Sequence, residues 1–284
     1  MIDAKLFNTN VENAWCPGCG NFNIQQALKE VLAELSIQPH EMILVSGIGQ
    51  AAKMPHYVNT HGLNGLHGRA LPQALGAHVA NPSLKMLVVS GDGDTYGEGG
   101  NHFIHNIRRN LDIVHMVHNN QIYGLTKGQA SPTTALGQKT TLQHEGVRLD
   151  PLNPVALAIT MGASFVARTF SGDKEQLKDL LKQAFLHKGY AYIDVLQPCI
   201  SFNKINTHRW YKERCYTLPS DYDPTDLGQA FMKSQEFGDE GIPTGVIYKQ
   251  EKPTFMERIA HNDKPLLEVA RTSEERNALF NAFL

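Results

Sequence analysis

The stretch 90-SGDGDTYGEGGNHFIHNIRRNLDIVHMVHNNQIYG-124 decides the fold. The apolar run Lys85-Met86-Leu87-Val88-Val89-Ser90 stops at Gly91-Asp92-Gly93-Asp94, and a helical stretch follows from about Glu98 to Arg109. A second apolar run, Asp112 to His118, ends in Asn119-Asn120. Strand, acidic glycine turn, helix, strand and amide turn make a parallel unit with both turns at the carboxyl ends of their strands. Open α/β sheets bind ligands along that edge. Asp92 brings a hard anionic oxygen, Asn120 a neutral carbonyl oxygen, and the helix start after Asp94 brings backbone donors at a positive dipole end. These are the parts of a Mg²⁺-diphosphate site. Magnesium is usually held by only one or two carboxylates besides phosphate oxygens, so Asp92, Asn120 and a backbone carbonyl near Ile122 suffice. The glycines let the backbone approach the phosphates.

Upstream, Trp15 leads into the tight turn Cys16-Pro17-Gly18-Cys19-Gly20. From Asn21, a plausible cap, Ile24, Leu28, Val31, Leu32 and Leu35 recur at helical spacing and predict a helix ending near Ser36. Met42 to Val45 reads as a short buried strand running into Ser46-Gly47-Ile48-Gly49-Gln50-Ala51-Ala52. That run partly fits the dinucleotide pattern, which wants an acidic residue about 20 positions further on. Residues 53–91 contain no Asp or Glu, which argues against it. The loop from Lys53 to Arg69 is too long for a plain connector. At its end, His67 and Arg69 either face a diphosphate or substrate, or serve as a helix-capping His and a surface Arg before a helix through Ala80.

Downstream, residues 124–150 lack a periodic pattern and read as a mobile active-site loop. Lys127, its only early cation, suits a carboxylate or phosphate, or is simply solvated. The rhythm then resumes with a helix near Pro154 to Met161, a strand at Ser164 to Arg168, a helix from Asp173 to Leu186 and a strand at Tyr190 to Val195. This alternation predicts an α/β fold with one mostly parallel sheet flanked by helices. The last strand delivers Gln197-Pro198-Cys199, so a third thiol arrives at a strand end. Beyond Ile200 periodicity weakens, apart from a possible strand at Gly245 to Tyr248. The expected division is therefore a domain at 1–200 and a C-terminal arm at 201–284 that packs on it or on a partner.

Composition narrows the function classes. The 284 residues carry 26 basic and 28 acidic side chains, a net charge of -2, with no basic stripe to hold nucleic acid. No run of about 18 apolar residues suggests a membrane span, and the opening MIDAKLFNTNVENAW lacks a secretory profile. The expected location is the cytoplasm. Cys16, Cys19, Cys199 and Cys215 are too few for a disulfide scaffold, and CxxC in such a protein points to metal or redox chemistry.

Gly91-Asp92-Gly93, then the 26 residues 94–119, then Asn120, resembles the signature of thiamine diphosphate enzymes. With WCPGCGN, SGIG, LHGRA, GLTKGQASPTT, IDVLQPC and NTHRWYKER, the likeness extends over about residues 14–250. The sequence resembles the thiamine-diphosphate-binding β subunit of 2-oxoacid:ferredoxin oxidoreductases, and GEGGNHFIHNIRRN and GLNGLHGRA favour the 2-oxoglutarate branch. The resemblance implies Asp92, Asn120 and the Ile122 carbonyl as Mg²⁺ ligands. It implies Gly18, Gly47, Ile48, Gly49, His67, Gly91, Gly93, Asp94, Gly124, Leu125 and Thr126 around thiamine diphosphate. Lys127, His67 and Arg69 are its candidates for acting on substrate.

The reaction implied is CoA-dependent oxidative decarboxylation of a 2-oxoacid to acyl-CoA and CO₂ with reduction of ferredoxin, and possibly the reverse carboxylation. The resemblance also implies that the catalytic Glu belongs to a separate α subunit, in an αβ or (αβ)₂ assembly. A 4Fe-4S cluster would take Cys16, Cys19 and Cys199, but Gln50 and Thr60 stand where relatives carry the remaining cysteine. His61, His56, Cys215 or a non-protein ligand are the candidates for the fourth position; a three-iron cluster, a zinc site or three metal-free thiols are the other readings. Two further functions compete: a non-redox thiamine-dependent decarboxylase subunit, and a metal-stabilised assembly subunit without catalysis.

Overall fold

The computed structural model describes residues 2–259, 264–269 and 271–283. The first half of the chain forms α1 (Asn21–Glu34), β1 (Met42–Ser46), the single turn α2 (Met54–Tyr57), β2 (His61–Asn64) and α3 (Ala70–Ala80). It continues through β3 (Lys85–Gly91), α4 (Gly100–Arg109) and β4 (Ile113–Asn119). After a long segment without regular elements come α5 (Pro154–Thr160), β5 (Phe165–Phe170), α6 (Lys174–Leu186) and β6 (Tyr190–Leu196). The chain then forms α7 (His208–Arg214), β7 (Cys215–Thr217), α8 (Leu227–Gln235), β8 (Ile242–Lys249), α9 (Phe255–Arg258) and α10 (Ser273–Asn281).

The strands make one sheet in the order β2-β1-β3-β4-β6-β5-β8-β7. Pairing is parallel from β2 through β5, while β8 runs antiparallel to β5 and β7 parallel to β8. β4 and β6 lie at the centre and are buried at every position, their mostly apolar residues interrupted by His115, His118, Asn119 and Asp194. One face carries α1 and α6, whose Leu28, Leu32, Leu177 and Leu181 are fully buried against Leu44, Leu87 and Ile193. Each such side chain contributes about 1.5–3 kcal/mol of burial. The other face is covered by α3, α4 and α5 through Leu71, Phe103, Ile107 and Ile159. Helix ends follow the sequence: Asp173 caps α6 through the Gln176 N–H, and Asn153 caps α5 ahead of Pro154.

Three features depart from the expectation. β2 is an edge strand, His61-Gly62-Leu63-Asn64, exposed throughout and without an apolar pattern to reveal it. Between β3 and α4, Gly93–Glu98 forms a π-helical turn that no sequence signal announced; α4 itself runs from Gly100 to Arg109, close to the expected span. Residues beyond 200 do not stand apart from the sheet, since β7 and β8 extend it and Ile242 packs with Phe170, Leu196 and Tyr211. No helix of the described residues is long and apolar enough to cross a membrane.

Candidate active site at the carboxyl edge of the sheet

The chain runs outward to β2 and then back past β1 to β3, so the crevice above β1 and β3 is a topological switch point, where open α/β sheets bind ligands. Ile48 to Ala51 follow β1, Gly91 to Asp94 close β3, Asn120 and Ile122 to Thr126 follow β4, and Gln197 follows β6; all line one pocket, with His67 and His118. This is the edge anticipated for the diphosphate, and it gathers Asp92, Asp94, Asn120, Ile122, Gly124, Leu125 and Thr126 as the sequence suggested.

Asp92 is 1 % exposed, and its Oδ2 accepts the Ser131 hydroxyl at 2.5 Å and the Thr133 hydroxyl at 2.8 Å. Burial pushes its carboxyl up to about 6, against the pull of these hydroxyls and of nearby backbone N–H groups. A cation beside it would restore the anion. Asn120 turns its Oδ1 onto the Ile122 N–H at 3.0 Å, a local turn made possible by Gln121 in the left-handed region at φ 58°. A buried carboxylate, an amide and free backbone in one cleft fit a hard cation with a diphosphate. At Gly93 a side chain would strike the Tyr123 ring, whose hydroxyl donates to the Gly93 carbonyl at 3.2 Å.

Asp94 has a different task. Its Oδ1 accepts the Ile48 N–H at 3.0 Å and the Gly68 N–H at 2.7 Å, tying the loops after β1 and β2 to the turn after β3. Gly47 lies so close that a β-carbon there would collide with the carboxylate. His67 Nδ1 stands 2.8 Å from Oδ1 but out of line with it, an electrostatic approach rather than an aligned hydrogen bond. Burial raises the Asp94 pKa, and the two N–H donors oppose the rise.

The remaining candidates separate. Gly18 sits in the cysteine turn at φ 79°, outside the cofactor pocket. Arg69 is exposed and donates to the Glu98 carbonyl at 3.0 Å, so it closes the π-helical turn instead of facing the pocket. Lys127 is exposed at φ 77°, with its carbonyl accepting the Thr141 hydroxyl at 2.9 Å. Its segment has internal bonds of its own, among them Tyr123 N–H to the Gln129 carbonyl and Val147 N–H to the Gln138 carbonyl.

Cys16, Cys19 and Cys199 line a second pocket, and all four cysteines are free. Burial raises the Cys19 pKa, and the sulfurs of Cys199 and Cys16 raise it further, so the three are near enough to repel as thiolates. Gln197 Nε2 donates to Cys19 Sγ at 3.3 Å and Ser201 Oγ to Cys16 Sγ at 3.2 Å. Among the described residues no three His, Cys, Asp or Glu side chains converge as ligands of one ion. Cys215 lies elsewhere, packed beside Phe170 and Tyr211, its thiol pushed up to about 12 by burial. His61 is exposed on β2 opposite Ile43, well back from the carboxyl edge. His56 meets the Tyr57 ring edge-on and does not line the thiol pocket.

Sequence reasoning missed Ser131, Thr133, His118, Asn21 and Gln197. The two hydroxyls lie in the QASPTT run, about 40 residues from the Asp92 they serve. His118 Nδ1 lies 2.7 Å from Asn21 Oδ1 and 2.9 Å from Gln197 Oε1, and burial holds its imidazole down to about 4, in the neutral form. Between two carbonyl acceptors that nitrogen carries the proton, so Gln197 links His118 to the Cys19 sulfur. The cofactor pocket and the thiol pocket share Asn21, Gln50, Asn120, Gly124 and Gln197 as a common wall.

Residues 41–195 match the family model of the thiamine pyrophosphate enzyme C-terminal TPP binding domain. Residues 199–264 match the family model of the C-terminal part of the pyruvate ferredoxin oxidoreductase beta subunit. The chain is 45 % identical to a 2-oxoacid:ferredoxin oxidoreductase subunit beta of Saccharolobus solfataricus, over 90 % of this chain and 88 % of that one. It is 35 % identical to the 2-oxoglutarate synthase subunit KorB of Methanocaldococcus jannaschii, over 86 % and 90 %. A solved 2-oxoglutarate:ferredoxin oxidoreductase from Magnetococcus marinus, with 2-oxoglutarate, coenzyme A and succinyl-CoA bound, superposes with a TM-score of 0.90 at 35 % identity, covering 98 % of this chain and 96 % of that one. With its sheet, its cofactor cleft and this likeness over nearly its whole length, the chain belongs to the beta subunits of the 2-oxoacid:ferredoxin oxidoreductases.

Proposed function

We propose that the chain is the thiamine-diphosphate-binding half of a 2-oxoglutarate:ferredoxin oxidoreductase that forms succinyl-CoA and CO₂ and passes the electrons to ferredoxin. The observation that carries this reading is the wall shared by the cofactor pocket and the thiol pocket, which sets three thiols suited to a redox centre beside the proposed site of decarboxylation. A non-redox decarboxylase would have no use for that arrangement.

Asp92, Asn120 and the Ile122 carbonyl would hold Mg²⁺ and through it the diphosphate, with Ser131 and Thr133 fixing the carboxylate's direction. Bound thiamine diphosphate supplies the carbon nucleophile and the electron sink that decarboxylation needs. Asp94 holds the three loops together so that the cleft keeps its shape and excludes water. Cys16, Cys19 and Cys199 would hold an iron-sulfur cluster, the 4Fe-4S type, whose thiolates sit at separate corners rather than around one ion. His67, which lines the pocket, and Lys127, which follows the lining residue Thr126 in the chain, would be the candidates for meeting substrate. A separate α subunit would bring the catalytic Glu. The exposed Leu267, Phe280 and Phe283 give the C-terminal segment an apolar surface for such a subunit. Free thiols suit a reducing compartment, the cytoplasm.

The test is the anaerobically co-purified αβ complex, assayed for CoA-dependent turnover of 2-oxoglutarate against pyruvate, with iron and sulfide measured on the same sample. Preference for 2-oxoglutarate with both elements bound supports the proposal. Preference for pyruvate moves the chain to another branch, and turnover without iron or sulfide moves it to the non-redox enzymes.

A further inference from the structure

Three cysteines leave one corner of a four-iron cluster without a thiolate, and the thiol pocket contains a specific answer. Its described lining, besides the cysteines, offers Asn21, Gln50, Asn120, Gln197 and Ser201 as side-chain oxygen donors. Four of these are committed. Asn21 Oδ1 and Gln197 Oε1 face His118 Nδ1, at 2.7 and 2.9 Å. Asn120 Oδ1 accepts the Ile122 N–H, and Ser201 Oγ points its proton at Cys16.

Gln50 is different. Its Oε1 is buried and has no hydrogen-bond partner. A buried polar oxygen left so costs about 1–3 kcal/mol unless something completes it. Its backbone is pinned, because Trp15 Nε1, from the residue next to Cys16, donates to the Gln50 carbonyl at 2.7 Å. Gln50 therefore stands in the wall between the two pockets, held from the cysteine side, with an unused acceptor.

We propose that Gln50 caps the fourth iron of a three-cysteine cluster through its amide oxygen, giving a site-differentiated cluster with one labile iron. This rests on the reading that Cys16, Cys19 and Cys199 hold a cluster. A neutral oxygen binds iron less firmly than a thiolate, so the capped iron is the one that leaves first and the one an exogenous ligand can reach. Gln50 also lines the cofactor pocket, so the iron it would cap belongs to the wall that the two pockets share.

The αβ complex, reconstituted anaerobically with iron and sulfide, provides the test as wild type, Gln50→Ala and Gln50→Cys. Each is treated with ferricyanide and a chelator, and the conversion of four-iron to three-iron cluster is followed by EPR and iron content. Loss of one iron should be fastest in Gln50→Ala, intermediate in wild type and slowest in Gln50→Cys. Steps of at least about tenfold are expected, the scale on which even outer-shell changes move metal affinity. A Mössbauer spectrum of the wild-type complex, which needs no variant, should show one iron distinct from the other three. Equal lability in all three proteins, or four equivalent irons, overturns the assignment of Gln50 while leaving the cluster in place. Absence of iron and sulfide from all three removes the cluster itself, and the proposal with it.

Discussion

Asp94 shows how much of the site rests on a side chain that need not touch a metal. One oxygen receives the N–H groups of Ile48 and Gly68, which come from loops far apart in the chain. Asp94→Ala leaves both donors unpaired, at about 1–3 kcal/mol each, and a urea denaturation series should show that loss. Gly47→Ala acts on the same carboxylate, because its new methyl group would collide with both oxygens and displace them. The expected outcome is normal circular dichroism with thiamine diphosphate affinity reduced about tenfold or more in calorimetry, the cost of one charge-assisted contact. Asp92→Asn tests the neighbouring role: it retains an oxygen for Ser131 and Thr133 but lacks the charge. Magnesium-dependent cofactor binding should then weaken by more than about tenfold.

At the scale of elements, the sheet is stitched by buried polar groups as well as by apolar runs. Arg168 on β5 and Asp194 on β6 are register partners, almost wholly buried, with Arg168 Nε 3.3 Å from Asp194 Oδ2. Asn119 at the end of β4 donates to the other oxygen of Asp194 at 3.0 Å and meets Thr133, which serves Asp92. Arg168→Met strands the carboxylate and should cost about 3–5 kcal/mol, whereas Arg168→Met with Asp194→Leu should recover much of it. Chemical denaturation of wild type and the two variants checks the ordering. His115 on β4 gives a pH signature. It bonds Ser90 and Tyr190 in the core, and burial holds its imidazole down from 6.5 to about 3. The unfolded chain therefore takes up that proton first, so the contribution is complete above about 6.5 and is lost as pH falls toward 3. Between pH 6.5 and 5 the wild type should lose about 2 kcal/mol more than His115→Gln, measured by urea midpoints at the two values.

For the whole molecule, a sequence states its buried parallel strands openly and its polar assembly poorly. β1, β3, β4, β5 and β6 were legible because each is an apolar run ending in a turn. β2 was not, since an exposed His-Gly-Leu-Asn strand has neither alternation nor burial. β8 showed only its Gly245 to Tyr248 portion, and the π-helical turn at Gly93–Glu98 is set by Asp94 and Arg69 across space. The GDG turn and Asn120 could be read because glycine and acid adjoin in sequence. Ser131, Thr133, His118 and Gln197 could not, because their meaning arises only when loops from different strands meet. Gln50 is the instructive case: as a departure from a cysteine pattern it looked like a loss, and in the fold it is an uncommitted oxygen beside three thiols.

The common wall makes the central claim one of coupling between decarboxylation and electron transfer. The most direct measurement follows CO₂ release and viologen reduction in the same anaerobic sample of the αβ complex given 2-oxoglutarate and CoA, for wild type and for Cys19→Ser. The account predicts that the wild type releases CO₂ and reduces viologen in step, and that Cys19→Ser retains thiamine diphosphate binding but loses viologen reduction. Release of CO₂ by the wild type without viologen reduction, or viologen reduction undiminished in Cys19→Ser, would contradict it.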